Sequence, residues 1–178
     1  MRLFLGIKVP DDSAQKIYRA LENLRNDYAW ARWVNPDNYH ITIHFFGERP
    51  GFSDLLPILE EAVFEAPPFE LDLLSGGVFQ YPELVLYVDF YRARALEILA
   101  KRVAERFSNG GKIYRFIPHV TVARMKKPSK QQYLHLKKRM TAFQVEHRFR
   151  VEEVCLFESV QHMGRVGYIS RANFTLEG

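Results

Sequence analysis

One short alternating motif occurs twice in this chain and constrains its fold more than any other feature. His40-Ile41-Thr42-Ile43 returns 79 residues later, from position 40 to position 119, as His119-Val120-Thr121-Val122. β-Branched residues that alternate with polar ones are typical of strands with one buried and one open face. Successive side chains of a strand point to opposite sides, so each motif predicts a strand that presents an imidazole and a hydroxyl together.

The chemistry of this motif pair favours phosphoryl transfer without a metal. If the two strands line opposite walls of one cleft, that cleft holds two titratable bases and two hydroxyls that can donate to phosphate oxygens. A single His-x-Thr is common by chance, whereas two copies in equivalent positions of similar halves are specific. We therefore predict a phosphodiesterase that uses no metal and no cofactor, with a site formed by His40, Thr42, His119 and Thr121.

The order of predicted elements repeats between the two halves of the chain. In the first half, strands are predicted at 3–8, 40–43 and 69–74, and 40–43 is the first histidine strand. Helices are predicted after the first two of these strands: one begins at residue 11 and is opened by Asp11-Asp12-Ser13, and the other is at 54–64. In the second half, strands are predicted at 84–90 and 117–123, and 117–123 is the second histidine strand. Each of these strands is followed by a predicted helix, at 93–107 and 129–140. Two more strands are predicted, at 148–157 and 166–176.

This repeat predicts an α+β fold of two pseudo-symmetric lobes, each an antiparallel sheet flanked by helices, with a central cleft between them. At 178 residues the chain is long enough for a single domain made of two lobes, approximately 1–78 and 79–178, and a strand can exchange between them. We place the join near Ser75 to Pro82, because Gly76-Gly77 and Tyr81-Pro82 break regular structure.

Composition indicates a soluble globular protein. Hydrophobic residues make up 47% of the chain, the N-terminal apolar run lacks the flanks of a signal peptide, and no stretch approaches the roughly 20 apolar residues of a membrane span. We expect a cytoplasmic monomer with no membrane partner. Cys155, the one cysteine, lies in an apolar run, and we expect a packed thiol rather than a nucleophile there.

Positive charge is concentrated after the second motif and favours a polyanionic partner. The formal net charge is +4, and the cations of this segment are Arg124, Lys126, Lys127, Lys130, Lys137, Lys138 and Arg139. We expect most of them to lie on the solvated face of a helix. Arg124 differs because it follows Thr121 by three residues at the end of the same strand, close enough to reach a phosphate held there.

Several stretches, one of which contains the second motif, match a known family. They extend over nearly the whole chain and are Met1 to Ile7, Arg32 to Tyr39, Phe45 to Glu48, Gly77 to Phe79 and Pro118 to Arg124. In these stretches the chain resembles the 2H phosphoesterase superfamily and, within it, the bacterial and archaeal RNA 2′,3′-cyclic phosphodiesterases, historically also called 2′-5′ RNA ligases.

This resemblance implies a role for each motif residue. It implies that His40 is the proton donor and His119 the acceptor, that Thr42 and Thr121 bind phosphate, and that Arg124 assists them. The implied substrate is RNA with a 2′,3′-cyclic phosphate end, or a nucleotide fragment, which is hydrolysed to a 2′-phosphate; reversible 2′-5′ ligation is the same chemistry with a ribose oxygen replacing water. The residues alone do not distinguish donor from acceptor.

A non-catalytic RNA-end-binding module is one alternative, because aromatic and basic residues interleave in this sequence. The aromatic residues concerned are Trp33, Tyr39, Phe45, Phe46, Phe79, Tyr81, Tyr114 and Phe116. We expect most of them to be core. Those near the histidine strands, Tyr39, Phe46 and Tyr114, are candidate nucleotide contacts.

A zinc-dependent phosphoesterase is the other alternative. His40 and His44 would make a good ligand pair on a helix, but on a strand their attachment points are ~13 Å apart, too far for one ion. We expect His44 on the open face with Thr42, exposed or lining the outer cleft. The remaining histidines, His135, His147 and His162, have no partner pattern and are expected on the surface.

Overall fold

The computed structural model describes residues 1–80, 82–107, 116–126, 128–162 and 165–178. The strands in this part of the chain are β1 (Arg2–Lys8), β2 (Arg32–Trp33), β3 (His40–Glu48), β4 (Phe69–Gln80), β5 (Leu84–Phe90), β6 (His119–Met125), β7 (Arg148–Val151), β8 (Glu153–His162) and β9 (Arg165–Thr175). The α-helices are α1 (Asp11–Ala20), α2 (Glu22–Asp27), α3 (Leu56–Val63), α4 (Arg94–Phe107) and α5 (Lys130–Thr141).

The described strands form one antiparallel sheet in the order β7-β4-β5-β6-β3-β1-β8-β9, with β2 beside β6. Its two halves meet at β3 and β6, whose described register has one ladder pair, Ile41 opposite Val120. β4 comes from the first half of the chain but pairs with β5, and β8 comes from the second half but pairs with β1. Each half of the sheet is thus completed by a strand from the other half of the chain. The predicted α+β fold class is confirmed.

The main core lies on one face of this sheet, under the helices. In β1 the side chains of Leu3, Leu5 and Ile7 are buried there, as alternation along a strand requires. Ile17 of α1 and Leu99 of α4 belong to the same core. The opposite face carries a second, small apolar cluster, and this is the face that the histidine motifs share. The members of this second cluster are Phe4, Cys155, Phe157 and Tyr168.

The helices begin where the sequence favours them. Asp11 and Asp12 lie in the first turn of α1, where carboxylates interact favourably with the positive end of the helix dipole. At α5 the Ser129 hydroxyl accepts the Gln132 N–H while the Gln132 side chain accepts the Ser129 N–H, which is a capping box. In the described part of the chain, no helix combines the length and the apolar content that a membrane crossing requires.

Two predictions about regular structure are wrong. Gly76 and Gly77 do not break a strand; both lie within β4, opposite Val88 and Tyr87 of β5. The strand predicted at 148–157 is two strands separated by Glu152, because β7 pairs with β4 in one half of the sheet and β8 pairs with β1 in the other. Tyr81, part of the predicted join, lies outside the described residues.

An irregularity in β3 changes which side chains face the site. Gly6 of β1 is opposite Thr42, but its neighbour Leu5 is opposite His44, so Ile43 is an extra residue in β3. Such a bulge reverses the facing of the residues beyond it. His44 is thereby turned toward the core face with Leu5, and Phe45 is turned toward the opposite face.

Candidate active site

The two histidine strands are neighbours in the sheet rather than opposite walls of a cleft. Ile41 and Val120, which pair across β3 and β6, are fully buried on the core face. The residues on either side of this pair point to the other face, where all of them are half-buried. These residues are the polar members of both motifs, His40, Thr42, His119 and Thr121. The structure thus brings the four predicted side chains to one face of one sheet.

Both imidazoles are oriented by the same local hydrogen bond. The Nδ1–H of His40 donates to the carbonyl oxygen of Asn38 at 2.8 Å, and the Nδ1–H of His119 donates to that of Ile117, also at 2.8 Å. A carbonyl only accepts, so Nδ1 carries the proton in each ring. In the neutral form Nε2 therefore has the lone pair, and it is the atom left for proton transfer.

Aromatic rings support His40 from the adjacent strands. Tyr168 of β9 meets its imidazole edge-on with ring centroids 4.5 Å apart, and Phe4 of β1 lies at 4.8 Å. Phe4 reaches His40 across Gly6, because a Cβ on Gly6 would come within 3.3 Å of the Phe4 ring and 2.8 Å of the carbonyl oxygen of Ile41. A side chain at position 6 would displace the ring that supports His40.

His119 has an equivalent support in the other half of the sheet. Phe79 and Tyr87 stack on each other at 4.0 Å and contact the imidazole at 5.0 and 5.6 Å. The Tyr87 ring lies over Gly77, where a Cβ would come within 2.3 Å of it. In both halves, an aromatic ring that lies over a glycine supports the histidine; this glycine is on the same strand as Phe4 in one half and on the strand next to Tyr87 in the other.

The charges around the two histidines differ. Burial lowers the pKa of His40 below its ordinary value, and the positive charges of His119 and Arg124 lower it further. Burial also lowers the pKa of His119, as does Arg124, but the carboxylate of Asp89 acts in the opposite direction. Asp89 is the Cα partner of His119 on β5, and its Oδ1 accepts from the N–H of Ser75. Among the described residues, His119 therefore has an anion that favours its protonated form and His40 has none.

The hydroxyls and the cation at this site are available for a ligand. Within the described residues, neither Thr42 nor Thr121 uses its hydroxyl in a hydrogen bond, and Arg124 makes no ion pair. Arg124 is exposed, and its charge acts on both histidines. Two hydroxyl donors and one guanidinium beside two imidazoles are suited to a phosphate group.

Comparison with known proteins places this arrangement in a family. The sequence profile of the 2′-5′ RNA ligase superfamily matches residues 9–162, a range that contains both motifs. The chain belongs to this superfamily. Two relatives named RNA 2′,3′-cyclic phosphodiesterase are similar to it over most of their length. That of Methanothermobacter thermautotrophicus is 24% identical over 75% of this chain and 76% of its own, and that of Archaeoglobus fulgidus is 30% identical over 71% and 74%. The resemblance noted in the sequence is confirmed.

Solved structures of other proteins have a similar fold. TT0787 of Thermus thermophilus superposes with a TM-score of 0.80 at 24% identity, covering 100% of this chain and 99% of that one. E. coli LigT, in a structure complexed with 3′-AMP, superposes with a TM-score of 0.71 at 21% identity, covering 99% and 98%. At these identities the similarity shows the fold.

Two of the three predicted aromatic contacts, Tyr39 and Phe46, are not brought to the site of this superfamily member. Tyr39 is 1% exposed and belongs to the core, so it has no surface for a nucleotide. Phe46 packs against the core and meets Phe107 of α4 edge-on at 4.8 Å. Tyr114 lies outside the described residues.

The structure also corrects the prediction for His44. Its ring packs between Phe46 and Phe107 at 5.0 and 5.6 Å, on the face opposite His40, and burial lowers its pKa. His44 is therefore neither on the open face nor beside Thr42. Across the described residues, no three His, Cys, Asp or Glu side chains come together as metal ligands.

The remaining predicted histidines and the cysteine have separate environments. His135 is exposed on α5, as predicted. His147 is half-buried, and its ring nitrogens contact the Ser13 hydroxyl at 2.8 Å and the Lys16 ammonium at 3.1 Å. The side chain of His162 lies outside the described part of the structure. Cys155 is a packed thiol, as predicted, and burial raises its pKa to about 11.

Sequence reasoning missed the residues that surround the imidazoles. Asp89 and Tyr87 carry a usable signal, since they are the two residues with polar groups in the otherwise apolar β5 and lie two positions apart, as residues on one face of a strand do. Phe4 and Tyr168 carry none, because their approach to His40 depends on which strands pair, and on the space that Gly6 leaves.

Proposed function

We propose that this protein hydrolyses the terminal 2′,3′-cyclic phosphate of RNA to a 2′-phosphomonoester, by acid and base catalysis with two histidines and without a metal. The observation that carries the proposal is the matched pair of imidazoles on one face of the sheet. Each has Nδ1 bound to a carbonyl, and each lies beside a threonine hydroxyl that bonds to none of the described residues. The names of its relatives in Methanothermobacter and Archaeoglobus support the substrate.

The reaction requires a base and an acid on opposite sides of phosphorus. Nε2 of His119 takes a proton from water as the water oxygen bonds to phosphorus. The bond between phosphorus and the 3′ oxygen breaks, and Nε2–H of His40 gives its proton to that oxygen. The product keeps its phosphate on the 2′ oxygen, and proton exchange with solvent restores both imidazoles.

The threonines and Arg124 act on the non-bridging oxygens. Their hydroxyl and guanidinium donors hold the phosphorus in line with the attacking water and stabilise the charge that develops in the transition state. If the 5′ hydroxyl of a second RNA replaces water, the same steps form a 2′-5′ phosphodiester, the bond after which the superfamily is named. Hydrolysis and ligation therefore share one site in this proposal.

A single experiment tests the reaction and its regiochemistry. An oligonucleotide with a 5′ label and a 2′,3′-cyclic phosphate is incubated with the protein in excess chelator, and the products are resolved against 2′-phosphate and 3′-phosphate standards. We expect complete conversion to the 2′-phosphate. His135→Ala, on the exposed face of α5, is the control and should keep full activity.

Other results of that experiment would each reject a part of the proposal. Binding without conversion would indicate an RNA-end-binding module. Activity that the chelator abolishes and zinc restores would indicate a zinc-dependent enzyme. A 3′-phosphate product would reverse the assignment of the leaving oxygen.

The pH profile offers an independent test. One imidazole must be neutral and the other protonated, so kcat/KM should be bell-shaped. Burial lowers the pKa of both groups in the free protein, so both limbs should lie below those of ordinary histidines, and the optimum should fall on the acid side of pH ~6.5. A kcat/KM that keeps rising above neutral pH would contradict this.

A further inference from the structure

An exposed phenylalanine extends the aromatic support of His40 outward. Phe4, which contacts His40 at 4.8 Å, is also 5.9 Å from the ring of Phe45 on β3. Phe4 is 2% exposed and cannot stack on a ligand, whereas Phe45 is 64% exposed. Phe45 thus offers an open aromatic surface on the site face, one ring further from the histidine than Phe4.

The bulge in β3 is the reason that Phe45 lies there. If β3 were regular, with no bulge at Ile43, residues 40, 42 and 44 would share the site face and Phe45 would face the core. Instead Phe45 pairs with Phe4 and stands in solvent beside a polar site. Exposed aromatic rings next to cationic residues are a common feature of surfaces that bind single-stranded nucleic acid, because every base can stack on them.

Two arginines border the same surface. Arg2 lies two residues before Phe4 on β1, opposite Ser159, whose other partner is Tyr168. The charges of Arg2 and Arg124 both act on the Tyr168 hydroxyl, lowering a pKa that burial raises. In the part of the chain that the structure describes, neither arginine makes an ion pair. Both cations are therefore close enough to Tyr168 for their charges to act on it, and Arg2 is on β1, two residues from Phe4.

We propose that Phe45 and Arg2 form a subsite for the nucleotide that precedes the cyclic end of the RNA. The base of this nucleotide stacks on Phe45, and the phosphodiester that joins it to the terminal nucleotide pairs with Arg2. The inference rests on the proposed function and assigns the preferred substrate as an RNA chain rather than a mononucleotide. Phe45 lies one ring further from His40 than Phe4 does, and this distance assigns it to the base that precedes the terminal nucleotide rather than to the terminal base.

The stacking contact is tested with substrates of two lengths. The kcat/KM of Phe45→Leu is compared with that of wild type on a 2′,3′-cyclic mononucleotide and on a dinucleotide with the same end. We expect the loss on the dinucleotide to exceed the loss on the mononucleotide by about 5- to 100-fold, the usual size of one stacked base. Phe45→Tyr, which keeps an aromatic face, should restore the dinucleotide reaction.

Matched variants separate stacking from loss of structure. Phe64→Leu removes another exposed ring, 71% exposed at the end of α3, and should leave the ratio of the two substrates unchanged. Melting temperatures of all variants identify any that unfold. Equal losses of Phe45→Leu on both substrates would overturn the subsite and place the terminal base on Phe45 instead.

The phosphodiester contact is tested by its salt dependence. Arg2→Gln should lower kcat/KM for the dinucleotide and reduce the slope of its logarithm against the logarithm of salt concentration by about 0.7, the contribution of one phosphate on a single strand. Arg94→Gln removes an arginine at the start of α4 and serves as the control. An unchanged slope in Arg2→Gln would overturn this contact.

The two proposals fail in different ways. A wild-type protein that converts neither substrate would reject the proposed function and the subsite with it. A wild-type protein that converts both with equal efficiency, and whose Phe45 and Arg2 variants also do so, would reject the subsite and keep the function.

Discussion

The half of the sheet that holds His40 and the half that holds His119 have the same geometry but different charges. Each imidazole donates through Nδ1 to a carbonyl two residues earlier and is supported by a ring that crosses a glycine. Within the described chain, only His119 faces a carboxylate, that of Asp89. A repeated motif can therefore set the positions of two like groups, while residues outside the repeat give them different proton affinities.

This difference matters because a reaction with one acid and one base needs two unlike imidazoles. A site with exact two-fold symmetry would give both histidines the same proton affinity. Half of the molecules with one protonated imidazole would then carry that proton on the histidine that must act as the base. Asp89 removes that equivalence from the free protein by favouring a protonated His119, so the acceptor role proposed for His119 opposes this charge effect and rests on the family resemblance. The following variants test how far the two halves are equivalent.

The largest effect is expected from removing either imidazole. His40→Ala and His119→Ala should each lower kcat about 100- to 10,000-fold, the range of general acid or base catalysis. The double variant should be little worse than either single one, because acid and base act in the same step. Single-turnover rates measure this. If one alanine variant kept near-wild-type hydrolysis, the two-histidine scheme would be excluded.

A smaller effect is expected from removing the hydroxyls. Thr42→Val and Thr121→Val should each slow hydrolysis about 10- to 1000-fold, since each removes one preorganised donor to the phosphate. Replacement by serine at either position keeps the hydroxyl and should retain most activity. Similar losses would show that the halves contribute equally to phosphate binding; a loss at one position only would show that the phosphate belongs to one half.

The smallest effect is expected from Asp89→Asn, which keeps the oxygen that accepts from Ser75 but removes the charge. Loss of the carboxylate lowers the pKa of His119 further, since Asp89 acts to raise it. If His119 is the base, the acidic limb of the kcat/KM profile moves to lower pH while the other limb stays. Movement of the alkaline limb instead would exchange the roles of the two histidines. Titration of the ring protons by NMR assigns the shifted group.

Alternation in the sequence predicted the site well up to the first irregularity. His40, Thr42, His119 and Thr121 lie on one face as expected, because each is within three residues of the start of a regular strand. One residue beyond Thr42 the bulge reverses the pattern, and the predictions for His44 and Phe46 fail together. A bulge changes the facing of a strand without changing its hydrophobic pattern, so the sequence carries little sign of it.

Pairing between distant strands was the other limit. The glycines of β4 resemble a linker by themselves, and only the contact of Gly77 with the Tyr87 ring explains why a glycine lies inside a strand. The break at Glu152 exists because the strands on its two sides belong to different halves of the sheet. Both features depend on partners far away in the chain, which local patterns do not specify.

The exchange of β4 and β8 between the halves makes the two parts of the polypeptide interdependent. A fragment that ended after β4 would leave β1 with one open edge and β4 without its neighbour β5, and such edges promote association with other chains. Neither this fragment nor the remaining C-terminal one would contain all the rings that support its own histidine. Tyr168, which supports His40, comes from the C-terminal part, and Phe79, which supports His119, comes from the N-terminal part. The molecule is therefore repetitive in sequence and yet an indivisible unit in folding.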